Sequence, residues 1–183
     1  MNRPLSIAAA LCLVASPAFA EDELPAQGKS ALMFRLPTYN GKATGVTAVG
    51  LDRYVGPNAS DKDTRLVLLS FMASFCGPCK KELPYLQKLH ETYGTKGLRV
   101  VLVSIDDKEE GQKLIDELIE KNKVTFPVLK DRFQLVARRW LGTQFPLPSV
   151  FLVKPDGTIA TVHRGYSEEA STLLDKEVQA AIK

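Results

Sequence analysis

Cysteine is scarce in this chain. Cys12, Cys76 and Cys79 are the only three among 183 residues, too few for a small secreted domain stapled by disulfides. A bridge closing so short a ring as Cys76–Cys79 constrains the unfolded chain little, so that pair has a use other than stability. Charge of one sign is also lacking: 24 Lys and Arg stand against 21 Asp and Glu, and no basic stripe announces a nucleic-acid partner. Histidine occurs twice, at His90 and His163, in no paired metal-ligand spacing. Internal repeats and low-complexity tracts are missing, and near the start of the chain Leu5 to Val14 is an apolar run without charge.

That run follows Arg3 and precedes Ala18-Phe19-Ala20, a small-x-small cleavage pattern, so residues 1–20 are expected to be a signal peptide that directs the chain to the periplasm or another extracytoplasmic space. The alternative is an uncleaved membrane anchor, although the run is shorter than the about 20 residues a spanning helix needs and is flanked by Pro4 and Pro17. Cys12 lies inside the run, after Leu11, and is expected to leave with the peptide. Residues 21–31, acidic and broken by Pro25 and Gly28, read as a frayed lead-in. Residues 32–183 then suit a single domain, expected to be monomeric.

Leu32 to Leu36 and Thr44 to Val49 are strand candidates around Tyr39-Asn40-Gly41-Lys42, where Asn-Gly signals a tight hairpin turn. Val55 to Thr64 is a polar loop. The pattern then changes: Arg65 to Phe71 is an apolar strand, Gly77 to Tyr93 a helix and Leu98 to Ile105 a second apolar strand, together a βαβ unit with a parallel pair. Lys108 to Asn122 places Leu114, Ile115, Leu118 and Ile119 at helical spacing. Phe126 to Leu129 reads as a strand, Phe133 to Leu141 as a helix, and Ser149 to Val153 with Thr158 to His163 as an antiparallel hairpin turning at Lys154-Pro155-Asp156-Gly157. The last helix, Glu168 to Ile182, should bury Leu173, Leu174, Val178, Ala181 and Ile182. The class is α/β, with a central mixed sheet flanked by helices and an N-terminal β-hairpin.

The chemistry concentrates at Cys76-Gly77-Pro78-Cys79. An apolar strand ending just before Cys76 and a helix starting just after it put that sulfur at a helix N-terminus. Unpaired N–H groups and the helix dipole there favour a thiolate, the nucleophile of disulfide exchange. Cys79, one turn further in, can attack the mixed disulfide that Cys76 forms and release a reduced substrate. Gly77 permits the tight entry, and Pro78 supplies a preset φ near the helix start. Glu82 lies on the same helix face as Cys79, where a carboxylate either exchanges protons with the resolving thiol or is an ordinary first-turn acid. Pro84 should kink the helix. A zinc site would need four ligands, and with Cys76 and Cys79 only the two unpaired histidines remain; His90 reads as a surface or core-edge residue. No cofactor is expected.

The stretch FMASFCGPCKKELPYL, followed in order by VVLVSID, FPVLKD and PLPSVFLVKPDGTI, resembles the thioredoxin superfamily, and more closely its secreted TlpA/ResA-like branch. The resemblance covers nearly all of Leu32 to Ile182 and implies a thioredoxin-like three-layer sandwich. It implies Cys76 as the attacking thiol, Cys79 as the resolving thiol, and Pro148 as a cis-proline facing the redox pair. It adds weight to Glu82, since an acid at the matching position tunes the thiols of the branch. It further implies disulfide-containing client proteins, apocytochrome c among the candidates, and a membrane-embedded thiol donor that recharges the pair. Two departures stand out: Phe75 replaces the usual tryptophan, and Ser70 stands where cytoplasmic thioredoxins carry a buried aspartate. Rival readings are a thiol peroxidase, which would need a hydroxyl three residues before its cysteine where this chain has Ala73, and a non-catalytic metal-binding module of the same fold.

Overall fold

The computed structural model describes residues 24–183; the expected signal peptide and the first residues of the lead-in lie outside them. Five strands form the main sheet: β3 (Leu66–Met72), β4 (Leu98–Ser104), β5 (Val128–Lys130), β6 (Ser149–Val153) and β7 (Ile159–Arg164). Their order is β5-β4-β3-β6-β7. The pairs β3/β4 and β4/β5 are parallel, and β3/β6 and β6/β7 antiparallel. β3 and β6 are buried along their whole length, which is why both read as unbroken apolar runs instead of alternating ones.

Adjacent residues of β3 face opposite sides of the sheet, and this alternation assigns the layers. Ser70 bonds to Glu82 of α2 (Gly77–Tyr93), while Phe71 packs with Trp140 of α4 (Leu135–Leu141) at a centroid distance of 5.9 Å. Trp140 also meets Phe151 edge-on at 4.9 Å. Burying such aromatics contributes on the order of 2–3 kcal/mol each. α5 (Glu168–Ala181) lies on α2, with Tyr93 Oη donating to Asp175 at 2.9 Å. α3 (Glu109–Lys121) follows β4. The fold is the expected mixed α/β sandwich.

The N-terminal hairpin exists, but not with the turn its Asn-Gly pair suggests. β1 (Arg35–Pro37) pairs antiparallel with β2 (Ala48–Gly50), both shorter than expected, and residues Gly41–Thr44 between them form a helical turn, α1. Asn40 is drawn away from hairpin geometry by distant partners: its Nδ2 donates to the Phe126 carbonyl at 2.8 Å and its Oδ1 accepts from the Val128 N–H at 3.1 Å. The hairpin is thereby fastened to the β5 edge. The lead-in also departs from its reading as frayed. Gly28 and Ala31 donate to the carbonyls of Ile159 and Gly157, and Ile159 donates back to Lys29, at 2.8–2.9 Å, because the start of β7 leaves an edge to be covered.

α2 has the expected bounds and runs unbroken through Pro84, which sits on its exposed face. α4 begins two residues later than expected, since the Asp131 carboxylate accepts from the N–H groups of Leu135 and Ala137 and fixes the start there. Two expected core leucines face outwards: Leu114 is 45 % and Leu173 50 % exposed. On those helices Ile115, Leu174 and Val178 alone are fully buried, so the inward stripe is narrower than the apolar pattern.

Candidate redox site

Cys76 caps α2, and its Sγ accepts the N–H of Cys79 at 3.1 Å. Cys76 and Cys79 form a disulfide with Cα atoms 5.3 Å apart. Cys79 is fully buried and Cys76 nearly so, while Phe75 beside them is 76 % exposed. Exchange chemistry therefore reaches the pair from the Cys76 side only.

Three residues after Cys79, Glu82 is the one buried carboxylate of α2. It accepts a hydrogen bond from Ser70 Oγ at 2.9 Å. Burial dominates over that bond and pushes its pKa up from 4.5 to about 7, so the carboxyl gains and loses its proton near neutral pH. The Leu147–Pro148 peptide bond is cis, Pro148 is buried, and its carbonyl accepts from the Gly165 N–H at 2.8 Å. The next residue, Ser149, donates to the Pro146 carbonyl and accepts from Arg164 Nη1 at 3.0 Å. Cys79 and Glu82 thus lie in α2 and Cys76 caps it, while β6, which starts at Ser149, pairs directly with β3.

A second buried carboxylate, Asp106, escaped the reading of the sequence. Both its oxygens accept from the Ser74 N–H (3.2 and 3.0 Å), one from Ser74 Oγ (2.6 Å), and the other from Ser104 Oγ (2.8 Å). Tyr39 Oη of the hairpin loop lies 3.4 Å from Ser104 Oγ. Asp106 therefore fixes the turn Ala73-Ser74-Phe75 that delivers Cys76 to the helix start. Gly111 lets α3 approach this closely, because a Cβ there would lie 2.5 Å from Asp106 Oδ1. The available signal was position: Asp106 follows the carboxyl end of an apolar parallel strand, where α/β sheets place their sites.

His90 is half-buried against Phe126, and burial lowers its pKa. His163 Nε2 pairs with Glu177 at 2.7 Å. Among the described residues no three His, Cys, Asp or Glu side chains come together in a way that could hold a metal ion.

The fold and a Cys-x-x-Cys disulfide at a helix N-terminus define a protein of the thioredoxin-like class. The chain belongs to the AhpC/TSA family, whose model matches residues 28–162. It is 36 % identical over 107 residues to a thiol-disulfide oxidoreductase ResA of Oceanobacillus iheyensis, covering 58 % of this chain and 53 % of that one. A ResA of Bacillus subtilis is 28 % identical over 152 residues, covering 83 % of this chain and 75 % of the relative. The match thus spans about half of the first relative and three quarters of the second. Among solved structures, a candidate DsbE-type thiol:disulfide interchange protein of Chlorobium tepidum superposes with a TM-score of 0.69 at 27 % identity, covering 88 % of this chain and all of that one.

Proposed function

We propose that this chain is a thiol-disulfide oxidoreductase that reduces protein disulfides outside the cytoplasm. The observation that carries the reading is the bridged Cys76–Cys79 pair, with Cys76 Sγ held at the N-terminus of α2 on the Cys79 N–H. In the reduced protein that N–H donates to a Cys76 thiolate and lowers its pKa. The thiolate attacks one sulfur of a client disulfide, the other client sulfur leaves and takes a proton, and a Cys76–client disulfide remains. Cys79, having lost its proton, attacks Cys76 Sγ. The second client sulfur then leaves as a thiol and the Cys76–Cys79 bridge closes.

Glu82 is assigned as the group that takes the Cys79 proton, supported by its place on the same face of α2 and its pKa near 7. Pro148 is assigned to face the redox pair, as the resemblance implies, supported by its position just before β6, the strand that pairs with β3. Two electrons must return to the bridge after each cycle, so a membrane-embedded thiol donor is part of the proposal, with cytochrome c maturation as a role and apocytochrome c as a candidate client. Export by cleavage after Ala20 belongs to the same reading; among the described residues no helix is long and apolar enough to cross a membrane. N-terminal sequencing of the exported protein should begin at Glu21, and an intact Met1 would replace the cleaved leader by an anchor.

Reduction of insulin disulfides tests the activity. Cys76→Ser should abolish it, and Cys79→Ser should trap mixed disulfides; full activity in Cys76→Ser would refute the mechanism. The peroxidase reading lacks its hydroxyl, since the residue three before Cys76 is buried Ala73, and the Ser74 hydroxyl is committed to Asp106. Stoichiometric consumption of hydrogen peroxide by the reduced protein would restore it.

A further inference from the structure

The parallel strands β3, β4 and β5 end along one edge of the sheet, with Met72, Ser104 and Lys130 in a single row of the register. The redox turn follows Met72. Beyond Lys130, two strand spacings or about 10 Å away, a groove of about 510 Å³ opens between β1 and the start of α4. Its walls include Leu36, Phe133 and Leu135, and its charges come from Arg35, Lys130 and Arg132. It lies on the flank opposite Pro148, because β6 neighbours β3 on the other side.

Two features set this groove apart from ordinary surface. Phe133 is 72 % and Leu135 63 % exposed, because the Asp131 cap starts α4 so that neither side chain turns inwards. Among the described residues none of the three cations has an ion-pair partner. The acid between them, Asp131, spends its carboxylate on the helix cap. Lys130 Nζ lies 4.3 Å above the Tyr39 ring and the Arg132 guanidinium 5.8 Å from the Phe133 ring, so positive charge borders the apolar walls. The Asp131 N–H donates to the Ser104 carbonyl at 2.9 Å, tying the groove to the Asp106 clamp.

We propose that this groove docks an acidic segment of the client protein, a large apolar side chain set among Asp or Glu residues, while the client's disulfide lies at Cys76. The proposal rests on the oxidoreductase reading and adds a sequence preference to it. The apolar anchor fills the space between Phe133 and Leu135, and the carboxylates meet Arg35, Lys130 and Arg132. Exposed ion pairs of this kind act mainly on encounter and KM, and weaken as salt screens them.

The test uses two synthetic peptides, each bridged by one disulfide and carrying a leucine flanked by Glu and Asp or by two Lys, three to four residues beyond the bridge. The reduced full chain should show a KM about tenfold lower for the acidic peptide, the order expected of two to three exposed ion pairs. That preference should fade in 0.5 M salt. The double variant Arg35→Glu with Arg132→Glu should bring the ratio to one or below; Arg35→Gln with Arg132→Gln serves if the reversal does not fold. Equal KM values in a wild type that still reduces hydroxyethyl disulfide would overturn the docking proposal and leave the oxidoreductase reading standing. A preference that persists in whichever of the two variants folds would also overturn it. Failure to reduce any disulfide would remove the underlying reading, and the docking site with it.

Discussion

Glu82 and Asp106 are both almost wholly buried and both sit next to the redox turn, yet their surroundings differ. Glu82 is buried with one hydroxyl donor, Ser70. Asp106 receives the Ser74 N–H, the Ser74 hydroxyl and the Ser104 hydroxyl. A buried carboxylate given several donors holds them in place; Glu82, given a single donor, is pushed by burial towards its neutral form. The same chemical group therefore anchors the turn at Asp106 and, at Glu82, is the one to which proton exchange is assigned by proposal.

The largest expected effect breaks the anchor. Asp106→Ala leaves the Ser74 N–H and two hydroxyls without their acceptor and should cost about 4 kcal/mol in denaturant unfolding of the oxidised protein. A loss under about 1 kcal/mol would mean that Asp106 does not hold the turn.

Next comes the deep carboxyl. Because the folded protein raises the Glu82 pKa from 4.5 to about 7, its contribution to stability is fully present below pH 4.5 and is lost as the pH rises through 7. Glu82→Gln removes this dependence. Between pH 4 and pH 8 the wild type should lose about 3 kcal/mol relative to the variant. Parallel stability curves for the two proteins would show that the carboxyl does not titrate in this window.

The smallest effect concerns the lone donor. Ser70→Ala should cost about 1 kcal/mol and move the carbon-NMR titration of Glu82 above its wild-type midpoint, since the Ser70 bond lowers that pKa. An unmoved midpoint would mean that the Ser70 bond does not stabilise the Glu82 carboxylate.

Legibility in the sequence followed the range of the interactions. α2 and β6 have the bounds their patterns suggest. A helix capped by Cys76 with Pro78 in its first turn, and a continuous apolar strand bounded by Pro148 and Lys154-Pro155, carry their signals locally. Asn40-Gly41 misled because its partners Phe126 and Val128 are 86 and 88 residues away. Asp106 was silent for a similar reason, its principal partner Ser74 being 32 residues off. Leu114 and Leu173 fit a helical stripe by spacing, but how much of a stripe is buried depends on the width of the neighbour it packs against.

By itself the sequence determined the fold class and the location of the Cys76-Gly77-Pro78-Cys79 turn, because periodicity, capping and turn chemistry act over a few residues. Only the tertiary structure decided what surrounds the pair. It placed Ser70 under Glu82, Asp106 behind Ser74, and the Arg35, Lys130 and Arg132 groove along the same sheet edge. Burial and hydrogen-bond supply at a carboxylate are set by side chains from other strands, and no local pattern records them.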